Sequence, residues 1–133
     1  MSTTVAALRA GLAANLQRIS GIDVAAYVPD IVIPPMAVVS APSVRYDTSF
    51  KRGSDEYTFT IDVYVSRQVI KSAQVNLDAF IDPTAVKAAI EYDRTLGGAA
   101  FDCRVTSMNS YRMVEVGETP LLAASFEVLV ITA

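Results

Sequence analysis

Histidine and tryptophan are absent from the 133 residues, and cysteine occurs once, at Cys103. Without histidine the chain lacks the commonest general base at neutral pH and the commonest metal ligand. A lone thiol excludes an internal disulfide. No apolar run approaches the roughly 20 residues that cross a bilayer as a helix, so no membrane span is expected. Residues 1–10 lack a basic start followed by an apolar stretch, so no secretory signal is read and residence in a cytosol is expected. Cations are in the minority: 11 Lys and Arg stand against 14 Asp and Glu, for a net charge of −3. Proteins that coat nucleic acid cluster Lys and Arg to neutralise phosphates, and this balance argues against that class.

What is present is an apolar excess, 52 % of the residues, with charged side chains making up 19 %. Mean hydropathy is +0.36. The apolar residues are distributed in periodic patterns, which argues against disorder, and the length suits one domain over residues 1–133.

Thr3 and Thr4 are good helix caps, and Val5, Leu8, Leu12, Leu16 and Ile19 then recur at spacings of three and four, predicting a helix that Gly21 ends. Pro29, Pro34 and Pro35 predict an extended, irregular link, and Met36–Ser40 reads as a buried strand that Pro42 breaks. Val44, Tyr46, Thr48 and Phe50 alternate with polar residues, as do Tyr57, Phe59, Ile61, Val63 and Val65. Two half-buried strands joined by the polar segment Lys51–Glu56 make a projecting β-hairpin with a charged tip. The period then lengthens: Ile70, Ala73, Leu77 and Phe80 share a helical face, Asp82 and Pro83 end it, and Thr84 is placed to cap a second helix, Ala85–Tyr92, with Val86, Ala89 and Ile90 inward. Gly97 and Gly98 mark a turn. Strands return at Phe101–Val105 and Tyr111–Val116, then a loop at Gly117–Pro120, then Leu121–Ile131, apolar on both faces and therefore a central strand or one whose second face meets another subunit. The expected class is α+β: a mostly antiparallel sheet with an N-terminal helix and a helix pair packed on it, and a projecting hairpin.

Chemistry is sparse. Asp55 with Glu56, and Glu91 with Asp93, are the nearest carboxylate pairs, and nothing in their spacing forces them into a shared cleft; solvated turns and helix ends are the plainer reading. Cys103 has no activating histidine and reads as core. Gly53 and Gly97-Gly98 lack the strand–loop–helix setting of a phosphate cradle. Lys51 and Arg52 near Tyr46, Phe50 and Tyr57 are too few for a nucleic-acid patch; a solvated tip or a protein contact fits them better. No catalytic, metal or cofactor residue is assigned.

Four stretches resemble tail terminator proteins of long-tailed actinobacterial phages, the lambda-like terminator family, over nearly the whole chain: TVAALRAGLAANLQRISGIDV, YVPDIVIPPMAVV, YDTSFKRGSDEYTFTIDVYV and VKAAIEYDRTLGGAAFDCRVT. The resemblance implies a structural virion protein at the head-proximal end of the tail. It would assemble with itself as a ring, a hexamer, on the finished tail tube protein, receive the head-to-tail connector or stopper protein, and let DNA pass through the lumen without specific binding. Under that reading Lys51, Arg52, Gly53, Ser54 and Asp55 are candidate contacts to the tube or an adjacent subunit, and Leu121, Leu129 and Ile131 a candidate subunit seam. Competing readings are a neighbouring head-to-tail joining or minor tail protein, a small α+β module binding a hydrophobic ligand or peptide, and an enzyme of unrecognised type.

Overall fold

The computed structural model describes residues 5–19, 22–27, 35–40, 42–46, 55–66, 70–82, 85–98, 100–116 and 119–132. Three helices, α1 (Val5–Leu16), α2 (Ile70–Ile81) and α3 (Val86–Glu91), cover one face of an open sheet of six strands. The strands are β1 (Asp23–Ala25), β2 (Met36–Val39), β3 (Ser43–Arg45), β4 (Glu56–Ser66), β5 (Asp102–Val116) and β6 (Thr119–Ile131). Their order across the sheet is β1-β2-β4-β6-β5, and β3 continues the line of β2 along the same edge of β4. Only β1 and β2 pair in parallel. The architecture is therefore α+β with a mostly antiparallel sheet, as the patterning implies.

The core follows from the two periods. Leu8, Leu12 and Leu16 of α1, Leu77 of α2, and Val86 and Ile90 of α3 meet the odd-numbered residues Tyr57–Val65 of β4 and the even-numbered Leu122–Val130 of β6. Phe59, Ile61, Leu8, Leu12 and Ile90 are fully buried, and each such side chain contributes roughly 1.5–3 kcal/mol relative to an exposed one. The other face of the sheet carries no described helix.

Several local features depart from the sequence expectation. The strand expected at 44–50 ends at Arg45, where its pairing with Glu56 stops, and Tyr46 is 73 % exposed instead of inward; residues 47–50 lie outside those described. The two strands expected between Phe101 and Val116 are one, β5, whose register shifts at Val105/Ser107 and Asn109/Arg112. Each bulge resets the alternation and hides the continuity of the strand from a period-two reading. The loop expected at Gly117–Pro120 is shorter, because Glu115 pairs with Pro120 and Val116 with Thr119. Pro120 lies one residue beyond the last described pair of β4 with β6, Ser66 with Leu121, and proline is tolerated at such strand ends. The N-cap of α3 is Ala85, without a side-chain cap; Thr84 and Gly21 lie outside the described residues.

Two polar side chains on α1 tie it to the rest. Asn15, buried in an otherwise apolar face, donates from Nδ2 to the carbonyls of Ile90 and Asp93, both at 2.9 Å. The Asp93 carbonyl also accepts the Leu96 N–H at 3.2 Å, so Asn15 ties α1 both to α3 and to the turn after it. Arg9 donates to Ala26 O at 2.8 Å and Val39 O at 2.7 Å and stacks over the Tyr27 ring, pinning α1 across β1 and β2.

Candidate interaction surfaces

The helix-free face of the sheet is polar at its centre. Ser40 and Ser125 donate from Oγ to the two oxygens of Asp62, at 2.8 and 2.6 Å, and Arg112 Nη1 donates to Ser125 Oγ at 3.2 Å. The network links β4, β6, β5 and the residue after β2. Beside it, Ser107 donates to Glu127 Oε2 at 3.0 Å. Burial, and then the Asp62 charge, push the Tyr64 phenol above its usual range, with Arg112 opposing them. These bonds join side chains of neighbouring strands and so hold their register across this face.

The remaining titratable candidates are equally committed. Glu91 accepts from Lys87 and from the backbone N–H of Val105 at 3.0 Å. Desolvation works against its charged form, but these donors prevail and hold the carboxyl below its usual range. Asp93 accepts from the Thr95 hydroxyl, the Gly97 N–H and the Thr95 N–H, which lowers its carboxyl and shapes the turn. That turn needs left-handed backbone at Leu96, Gly97 and Gly98, with φ of 51°, 73° and 94°. The carboxylate pair Glu91 and Asp93 is thus divided between two structural tasks. Cys103 is buried, its thiol pushed up to about 12 by desolvation and by Asp102 and Glu91; a thiol so shifted is no nucleophile at neutral pH.

Of the sequence-predicted contact residues, Lys51, Arg52, Gly53 and Ser54 lie outside those described. Asp55 sits at the root of the hairpin, its carbonyl accepting the Thr132 N–H at 3.0 Å. Leu121, Leu129 and Ile131 share the helix-free face of β6 but differ in access: Leu121 is 0 % exposed within the chain itself, whereas Leu129 and Ile131 are half-buried. β6 is paired along both sides, to β4 and β5, so it offers a neighbour a face and no edge. Leu129 and Ile131 floor a depression of about 130 Å³ rimmed by Arg94, Asp102 and Arg104. There Arg94 grips Asp102 with two bonds of 2.7 and 2.8 Å. A second depression, of about 190 Å³, opens where β5 bulges beside Lys87 and Met108. Both are smaller than the roughly 300–1,000 Å³ of ordinary ligand pockets. Among the described residues no group of three or more Cys, Asp or Glu could hold a metal ion, and no helix is long and apolar enough to cross a membrane.

Neither the protein-family models nor the curated proteins contain a match to this sequence.

Proposed function

We propose that this chain is a structural, non-catalytic virion protein: a tail terminator whose copies form a ring, a hexamer, on the completed tail tube of a long-tailed phage. The ring ends tube polymerisation, receives the head connector or stopper protein, and leaves a channel for DNA. The observation that carries the reading is the resemblance of the four sequence stretches. They fall on α1 with β1, on β2 with the prolines before it, on β4 with the residues between β3 and β4, and on α3 with the start of β5. Two properties of the fold support it. The sheet is open, with one strand neighbour each for β1 and β5 among the described residues, and the net charge of −3 suits a lumen that DNA must pass without sticking.

The test is the mass of the purified chain by light-scattering chromatography. A ring of six 14.3 kDa chains gives about 86 kDa, six times the chain mass; a monomer that also fails to bind tail tubes contradicts the proposal. Lys51→Glu with Arg52→Glu should weaken tube binding without changing the melting temperature, and unaltered binding removes the hairpin tip from the tube contact.

A further inference from the structure

The open sheet ends in two edges that fit each other. Among the described residues β5 has β6 as its one strand neighbour, and β1 has β2. Following the pairings from one side to the other, β1 runs with β2, β4 against β2, β6 against β4, and β5 against β6. The two free edges therefore run in opposite directions. A second copy placed head to tail brings β1 to β5 as an antiparallel pair, the commoner arrangement of strands.

The side chains set a register. Asp23 pairs with Met36, Met36 with Tyr64, Tyr64 with Ala123, and Ala123 with Arg112. Asp23 and Arg112 thus stand on one row across the sheet, on its helix-free face, and both are exposed. Copies joined at a common height place the acid of one opposite the base of the next. On the helix-covered face the same register sets Val24 opposite Tyr111 and Ile22 opposite Met113. Val24 and Ile22 lie partly buried against the core, while Tyr111 and Met113 are 37 % and 52 % exposed, apolar surface on the side of an edge strand. Opposite charges and apolar pairs directly across a strand pair stabilise it. A slip of two residues that keeps the faces matched moves Asp23 to Val114, where the ion pair is lost, and a slip the other way runs into the register shift before Arg112. The earlier part of β5 is less available as an edge: Glu91 occupies the Val105 N–H at 3.0 Å, and both register shifts precede Arg112. The regular stretch of edge begins at Arg112 and takes Asp23 and Ile22, while Val24 and Ala25 meet the second register shift at Tyr111 and Ser110.

We propose that copies of this chain join through these two edges, β5 of one beside β1 of the next, with Asp23 facing Arg112. The proposal rests on the ring reading and deepens it by naming the seam, which it places at the sheet edges and not on β6.

The experiment places cysteines at both positions, Asp23→Cys and Arg112→Cys, in a chain also carrying Cys103→Ala, and oxidises the protein with oxidised glutathione. Within one chain the two positions are on opposite sides of the sheet, so a disulfide forms only between copies. A ladder of covalent oligomers on a denaturing gel is expected, with neither single-cysteine chain passing beyond dimer. In parallel, Asp23→Arg or Arg112→Glu alone should weaken assembly at least tenfold and the two together restore it; Asp23→Arg should melt with the parent protein, and Arg112→Glu, which also loses the bond to Ser125, should melt lower. Assemblies that persist without cross-linking, or a double swap no better than the singles, overturn the seam and leave the ring reading standing. Cross-linked open filaments keep the seam and overturn the cap, since a head-to-tail contact that does not close makes a fibre. A chain that remains monomeric overturns the seam, and the ring reading then falls if it also ignores tail tubes.

Discussion

Gly11 lies where α1 crosses the turn after α3, and replacing it with alanine tests that packing quantitatively. A Cβ built on Gly11 would stand 2.5 Å from Leu96 Cβ, 2.8 Å from Leu96 O and 3.1 Å from Leu96 Cα. Carbon atoms rest at roughly 3.5–4.0 Å, so α1 and the turn must separate by about 1 Å. Leu96 has little room to yield, being 3 % exposed with its backbone at a φ of 51°. In an unobstructed helix the substitution would stabilise by ~1 kcal/mol. Overpacking costs ~1–3 kcal/mol, and a 2.5 Å approach to a side chain with little room to yield falls in the upper part of that range, ~1.5–3 kcal/mol, so the net expectation is a loss of ~0.5–2 kcal/mol. With an unfolding entropy of roughly 280 cal/mol/K for a chain of this length, the melting temperature should fall by about 2–7 °C. The assay is thermal unfolding followed by circular dichroism. A Gly11→Ala protein as stable as the parent, or more so, refutes the close approach.

Leu121→Asp should unfold the chain, because it buries an unpaired charge, whereas Leu129→Asp, half-buried, should remain folded; far-UV circular dichroism of the pair distinguishes them, and two folded variants would contradict the burial of Leu121. Glu91 has a lowered carboxyl, so its contribution is present above the ordinary glutamate range and is lost as pH falls through the folded-state value. Glu91→Gln should therefore cost ~1 kcal/mol at neutral pH, discounted for the partly exposed Lys87, and progressively less as pH falls below the ordinary glutamate range, read from urea unfolding at a series of pH values. Cys103 should not react with a thiol reagent at pH 8 in the native protein and should react within seconds in denaturant; prompt native reaction would contradict a buried thiol pushed up to about 12.

The helices were legible because their apolar spacing is uninterrupted: Leu8, Leu12 and Leu16, and then Val86, Ala89 and Ile90, are all buried where the period places them. Pro42 marks the break between β2 and β3, and the central position of β6 follows from its two apolar faces. The length of β5 was not legible, since two bulges reset the pattern within it. Nor was the parallel pairing of β1, three residues whose partner is fixed by the chain returning at Met36. Asn15 and Arg9 look like ordinary helix residues in sequence, and only the carbonyls of Ile90, Asp93, Ala26 and Val39 give them a task. The same holds for the proposed seam. Asp23 and Arg112 are far apart in sequence, and their shared row becomes visible only when the register is traced across the intervening strands.

The central claim is a ring that caps a tail tube, and the most direct measurement is negative-stain imaging of purified tail tubes with and without the protein. The account predicts a ring at one end of each tube and tubes that no longer lengthen when fresh tube protein is added. Bare ends and continued growth at saturating protein would contradict it.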